Sequence, residues 1–292
     1  MNEKEFFKRL GIEGNLPKSL LSRFPDLDEL THGGFSNEIV SVCSRPGHGK
    51  TAFLFNLMMN FSSNQEYKGI VAFPRMDQKD LALYFISWVL GLNAFKHELT
   101  EEILEEIHFQ YQTLTTERVR VLHKVLSLEE IFTLAEIENA DYIILDDYFR
   151  SYTWQSDIER YASDYSKIQE FVNKKNIPVF VSILTSRLTE KRGGDLRPRL
   201  FDIYRSDSVC AYSHKVFQIY RPEQYGFTID EDGFTTRGFV ELMLQQNSKG
   251  KTGNIRFFHL APCKMVEDWN GAIRSKFDLG AGNSALFNEL LR

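Results

Sequence analysis

The chain has 292 residues, 42% of them hydrophobic, and its 35 lysines and arginines face 40 aspartates and glutamates for a formal net charge of −5. That content suffices for one large α/β domain, or a main domain with a small appendage, and excludes a disordered chain. The acidic balance excludes a wholesale basic coat for nucleic acid, so any such contact must come from a local patch. Cys43, Cys210 and Cys263 are too few and too far apart for a disulfide framework or a zinc knuckle, and the seven histidines show no ligand spacing. No run approaches the roughly eighteen apolar residues of a membrane span, and the opening residues lack the apolar core of a signal peptide. A soluble, cytoplasmic protein without membrane contact is the expectation.

Taken in order, residues 3–10 place Phe6, Phe7 and Leu10 on one side of a short helix, and residues 11–17 read as a linker. Such a helix either packs on its own domain or docks as an arm on a neighbouring subunit. Residues 1–22 are therefore set apart from a main domain over 23–263, with 264–292 as a tail carrying a second amphipathic helix. Residues 23–35 combine a turn, one helical turn and a glycine exit. The apolar run 39–43 then leads into Ser44-Arg45-Pro46-Gly47-His48-Gly49-Lys50-Thr51 and the helical stretch that begins at Ala52.

Strand, glycine loop and helix in that order are what a phosphate chain requires. Gly47 and Gly49 permit close backbone approach, and a helix N-terminus points its N–H groups at the anion. Lys50 is placed to reach the β- and γ-phosphates, and the Thr51 hydroxyl to bind Mg²⁺. The candidate nucleotide-binding residues are Ser44, Arg45, Pro46, Gly47, His48, Gly49, Lys50, Thr51 and Ala52. Ser44 stands where the usual pattern G-x-x-x-x-G-K-[ST] begins with glycine.

Further apolar runs at 69–73 and 178–184, a short strand at 119–122 and helical stretches at 81–90, 99–112 and 158–173 alternate along the chain. A helix over 128–138 is opened by Ser127, with Glu129 and Glu130 in its first turn. The run Tyr142-Ile143-Ile144-Leu145 ends in Asp146-Asp147. A carboxylate at the tip of a buried parallel strand sits beside the phosphate loop and can orient the Mg²⁺ shell, a role that falls to Asp146. The whole predicts an α/β fold, a mostly parallel sheet with helices on both faces, extended by antiparallel strands at 239–246 and 255–259.

The segments 23–35 and 45–52 resemble the C-terminal motor domain of replicative DnaB-type helicases, the RecA-like superfamily 4. The resemblance continues through 185–202, 216–223, 241–250 and 252–256. It implies a RecA-like P-loop core that binds ATP and Mg²⁺, assembles as a ring or hexamer with nucleotide between subunits, and moves on single-stranded DNA. An ATP-driven helicase or translocase is the activity it implies. In that family the water-activating glutamate falls at the position of Arg75, the sensor glutamine at Leu184, and a lysine and arginine finger at Gln246 and Ser248; Lys249 and Lys251 lie close by. A cation cannot act as that base. These departures support a second reading, a catalytically degenerate nucleotide-binding subunit with weak or no hydrolysis. Asp147 either partly supplies the missing carboxylate or caps a turn, and Arg75 is a candidate to pair with Asp146 or Asp147.

In the resembling family the region 183–205 lines the DNA channel. Here it holds Arg187, Lys191, Arg192, Arg197, Arg199 and Arg205 against Glu190, Asp195 and Asp202. Arg187, Lys191, Arg192, Arg197 and Arg199 are the candidate DNA-binding residues; the alternative is a solvated loop whose charges pair with nearby carboxylates.

Overall fold

The computed structural model describes residues 18–65, 67–96, 99–149, 158–230, 233, 235–259 and 263–267. The expected helices at 3–10 and 284–292 lie outside them. A single sheet runs through the molecule in the order β3-β2-β4-β5-β1-β6-β7-β8-β9. Its strands are β1 (Ile39–Ser44), β2 (Gly69–Ala72), β3 (Val119–Leu122), β4 (Tyr142–Leu145), β5 (Val179–Leu184), β6 (Lys215–Tyr220), β7 (Phe239–Asn247), β8 (Gly253–His259) and β9 (Met265–Glu267). β1 to β6 pair in parallel, and β7 to β9 continue the sheet antiparallel.

Continuous apolar text in β2 and β4 corresponds to complete burial, as expected of strands covered on both faces, and β1 and β6 are buried throughout although they carry Ser41, Ser44, Lys215 and Gln218. Alternation along β1 divides the core: Val40 and Val42 enter one apolar layer, Ile39 and Cys43 the other. The first layer is covered by α2 (Lys50–Gln65) and α3 (Gln78–Leu90), with Phe35, Phe61, Phe180 and Phe217 in edge-to-face or tilted contact across it. The second is covered by α5 (Leu128–Ile137) and α6 (Ile158–Lys175), where the Phe132 and Phe171 rings stack at 4.2 Å. α5 opens at the expected N-cap Ser127, which forms a full capping box: Ser127 accepts the Glu130 N–H, and Glu130 reaches back to the Ser127 N–H. The remaining described α-helices are α1 (Pro25–Leu30), α4 (Glu101–Thr113), α7 (Leu188–Lys191) and α8 (Ser206–Tyr212).

Two expected boundaries shift. Leu20 pairs with Phe35 as an isolated bridge and is 1% exposed, so the packed domain already includes part of the 1–22 segment set apart from it. At the other end β9 lies beyond residue 263, and its Glu267 carboxylate accepts the N–H groups of Asp26 and Leu27, joining the last strand to α1. A three-residue strand has too little periodicity to be visible in sequence.

At the end of the sheet opposite the phosphate loop, Glu38 (0% exposed) and Lys215 (1%) form a buried ion pair, with Lys249 3.5 Å from the same carboxylate. Removing one partner strands a buried charge, whereas replacing both need not. Lys215→Met is expected to lower unfolding free energy by about 3–5 kcal/mol, and Glu38→Gln added to it should recover part of that loss. Guanidinium unfolding of the parent, single and double variants checks this; a single variant as stable as the parent is the contrary result.

Candidate functional site

The site forms where strand tips converge. β1 ends at Ser44, and the chain turns through the glycine loop into α2, whose first turn is fixed by the Phe53 N–H donating to the Gly49 carbonyl at 2.9 Å. Gly47 (φ +80°) and Gly49 (φ +104°) adopt left-handed backbone that glycine tolerates without strain. A Cβ on Gly49 would also stand 3.0 Å from His259 Nε2. Ser44, in the first-glycine position, has a use of its own: its carbonyl and hydroxyl oxygens each accept from Lys50 Nζ at 3.3 Å, so the lysine is held at the loop with only 7% exposure.

β5 separates β1 from β4, and this neighbourhood brings Asp146 to the loop. Thr51 Oγ1 donates to Asp146 Oδ2 at 2.6 Å. The aspartate is 5% exposed, and its Oδ1 is buried and accepts no hydrogen bond of ordinary geometry from the described residues. Burial pushes the Asp146 carboxyl above the usual aspartate range, opposed by the Thr51 and Ser182 hydroxyls and by Lys50. A buried carboxylate oxygen with no well-formed hydrogen bond from the described residues, next to a threonine hydroxyl at the head of a phosphate loop, fits a divalent cation carried by a nucleotide. Thr51 and Asp146 are the residues that would hold it. Bound there, Mg²⁺ would neutralise phosphate charge as it builds during phosphoryl transfer.

A cleft of about 290 Å³ opens over this group, lined among others by Lys50, Thr51, Arg75, Tyr84, Asp147, Arg221 and His259. Arg75, Asp147, Thr51 and Tyr84 also line an adjoining cavity of about 230 Å³ that reaches Asp146. Arg75 Nη1 lies 3.3 Å from Asp147 Oδ2, so of the two pairings anticipated the arginine makes the one with Asp147. Asp147 has left-handed backbone (φ +49°) and donates its N–H to Ser182 Oγ at 2.7 Å, at the turn between β4 and the helical residues that begin at Tyr148. His48 is 4% exposed and accepts the Arg221 N–H at Nδ1; burial first, then Arg221, Lys50 and Arg45, lower its pKa to about 4, so it is a neutral packing element of the loop. Tyr84, Arg221 and His259 were missed by sequence reasoning. The one available signal was at Arg221 and His259, which sit just after β6 and at the end of β8, the strand ends that abut the loop.

The expected finger positions lie far from this cleft. Gln246 donates to the Cys210 and Ser213 carbonyls at 2.9 and 2.7 Å, and Ser248 is exposed at the turn between β7 and β8. That turn sits at the β1 entrance, opposite the phosphate loop, and Lys249 is drawn to Ser36 and Glu38. Leu184 lines the cleft, while the neighbouring Gln218 is buried and engaged with Thr185 and the Arg199 carbonyl.

The cationic loop divides into two sets. Arg192 donates to Asp202 and to the Arg197 carbonyl, and Arg197 to Glu241 and Asp195. Both brace the loop through these contacts, and the Arg197 side chain keeps 37% exposure. Arg187, Lys191 and Arg199 are exposed and form no ion pair among the described residues. The loop is tied to the phosphate loop by Arg45, which pairs with Glu190 of α7 at 2.7 Å and donates to the Thr185 carbonyl at 3.0 Å.

Two outcomes follow from this geometry. Lys50→Ala should abolish the rise in melting temperature produced by ATP and Mg²⁺, read by a thermal-shift assay; an undiminished rise would exclude the lysine from phosphate binding. Asp146 has a folded-state pKa above its unfolded value, so its contribution favours folding at low pH and is lost as pH rises through the folded pKa. Asp146→Asn should therefore leave the free protein at least as stable at neutral pH while erasing the Mg²⁺-dependent part of nucleotide binding. A variant that loses stability but keeps the Mg²⁺ dependence contradicts both statements.

Comparison with known proteins agrees with this architecture. The chain is similar to the replicative DNA helicase DnaB of Mycoplasma pneumoniae, 26% identical over 269 residues, covering 82% of this chain and 54% of the relative. It is also similar to the replicative DNA helicase DnaC of Bacillus subtilis, 22% identical over 244 residues, covering 80% and 52%. The chain thus spans about half the length of these curated relatives. Among solved structures, an isolated ATPase domain superposes with a TM-score of 0.73 at 18% identity, covering 90% of this chain and 95% of that one. A DnaB-like replicative helicase studied with primase gives 0.70 at 18% identity, covering 88% and 64%. These two establish a shared RecA-like ATPase fold. The family model for the DnaB-like helicase C-terminal domain matches residues 19–268, and the chain belongs to that family.

Proposed function

We propose that the chain is an ATP- and Mg²⁺-binding motor domain of the DnaB-like class that acts on single-stranded DNA as part of a cytoplasmic ring or hexamer, and that it turns ATP over slowly. The observation that carries the DNA reading is the physical link from nucleotide loop to cationic loop: Arg45 belongs to the first and holds Glu190 of the second. A change in the phosphate loop is then felt by the segment that presents Arg187, Lys191 and Arg199 to solvent. Slow turnover is supported by Arg75 in the place of the family's base and by Gln246, at a finger position, engaged within its own subunit. A trans arginine contributes about 10³–10⁵ in rate in related phosphoryl-transfer systems. The runner-up is a nucleotide-binding structural or regulatory subunit that does not act on DNA.

Because Arg192 braces the loop, the informative variant pairs Lys191 with Arg187. Arg187→Ala/Lys191→Ala should weaken binding of a labelled single-stranded oligonucleotide and reduce the log–log salt slope by up to roughly two units, with nucleotide affinity unchanged. Fluorescence anisotropy across several salt concentrations measures both. Equal affinity and slope in variant and parent would remove this loop from the DNA site, and no binding by the parent would favour the runner-up. In the same preparation, DNA-stimulated ATP turnover in the ordinary enzyme range of about 1–10³ s⁻¹ would overturn the slow-turnover half of the proposal.

A further inference from the structure

Arg75 is the side chain for which the DnaB-like plan supplies no role. It follows β2 in a loop whose backbone is well anchored: the Phe73 N–H donates to the Leu122 carbonyl, the Met76 N–H closes a turn onto Phe73, and the Met76 carbonyl is 2.6 Å from His123 Nδ1. Its partner Asp147 is anchored as firmly, by Ser182 and by the strand pairing of β4 with β2 that sets Leu145 beside Ala72. Between two fixed backbones the movable part is the arginine side chain. It is 59% exposed, meets Asp147 through one contact of 3.3 Å, and lines the same cleft as Lys50 and Thr51. An exposed single-contact pair of this kind is weakly held. A terminal phosphate offers the guanidinium fork two oxygens and more negative charge than a carboxylate does.

We propose that Arg75 is a terminal-phosphate sensor, which pairs with Asp147 in the structure as it stands and exchanges that carboxylate for the γ-phosphate when a nucleoside triphosphate enters the cleft. The proposal rests on reading the cleft as a nucleotide site, and adds that one side chain of the same subunit distinguishes triphosphate from diphosphate. Diphosphate leaves the Arg75–Asp147 pair intact; triphosphate breaks it and frees the Asp147 carboxylate from that contact. The domain thereby acquires two states set by nucleotide identity, with no hydrolysis needed to define either. An arginine in this position stabilises bound triphosphate, whereas a glutamate there would repel it.

The test is calorimetric binding of Mg²⁺ with ADP, and of Mg²⁺ with the hydrolysis-resistant imido analogue of ATP, to the full chain and its variants. Arg75→Ala should weaken the triphosphate analogue roughly ten- to a hundredfold while leaving ADP within about twofold. Arg75→Lys, which keeps the charge but loses the fork, should fall between parent and Arg75→Ala. Asp147→Asn should tighten the triphosphate analogue several-fold when Arg75 is present and have a smaller effect in the Arg75→Ala background, because the pair to be broken is then already gone. Equal factors for the two nucleotides in Arg75→Ala, or no coupling between the two substitutions, overturns the sensor. A parent protein that binds neither nucleotide, or binds them independently of Lys50, overturns the nucleotide site itself, a result distinct from normal ADP binding without discrimination. Melting temperatures of all variants without nucleotide confirm that folded protein is being compared; should Arg75→Ala not fold, Arg75→Lys carries the same decision at smaller amplitude.

Discussion

Asp146 must keep a carboxylate in a place that water barely reaches, at the end of a strand buried on both faces. Burial disfavours its charge, and the hydroxyls of Thr51 and Ser182 together with Lys50 only partly offset that cost. Such a site fits a cation, which Thr51 and Asp146 would hold, and the surrounding architecture fixes its geometry. β5 sets the spacing between β4 and β1, Ser182 on β5 fixes the turn after Asp146, and Ser44 holds the lysine at the loop. A helix that begins at Lys50 adds its N-terminal field, which favours an anion over the same spot.

On the proposed reading, the chain keeps the nucleotide-grip parts of a DnaB-like motor while several positions that the family resemblance associates with bond cleavage differ. Those differences are resolved locally rather than left open. Gln246 is hydrogen-bonded to carbonyls of its own subunit, Lys249 leans on a buried ion pair, and Arg75 balances Asp147. Each has a partner within its own subunit, although Arg75 and Lys249 stay largely exposed. Under the proposed function, such a cleft would hold a nucleotide and report it through Arg45, which pairs with Glu190, to the loop that carries Arg187 and Lys191.

The cationic loop shows why charge counting and charge placement differ. Six cations against three carboxylates read as a basic patch, yet Arg192 and Arg197 are engaged with Asp202, Asp195 and Glu241. Glu241 lies on β7, 44 residues after Arg197, so only the folded chain reveals the pair. Of the other four, Arg187, Lys191 and Arg199 are exposed and Arg205 is half-buried over the Tyr204 ring.

By itself the sequence determined the fold class, the order of strand, glycine loop and helix, the carboxylate at the tip of β4 and the antiparallel extension of the sheet. All of these rest on local signals: apolar runs long enough to be buried strands, glycines where the backbone must turn left-handed, and acids at strand ends. Tertiary structure alone decided which side chains meet. It placed Tyr84, Arg221 and His259 over the phosphate loop, chose Asp147 rather than Asp146 for Arg75, made β9 part of the sheet and turned the β7–β8 hairpin away from the cleft. The reason is that a strand order with β5 between β4 and β1 brings together residues nearly a hundred positions apart, and no periodicity in the chain encodes that order.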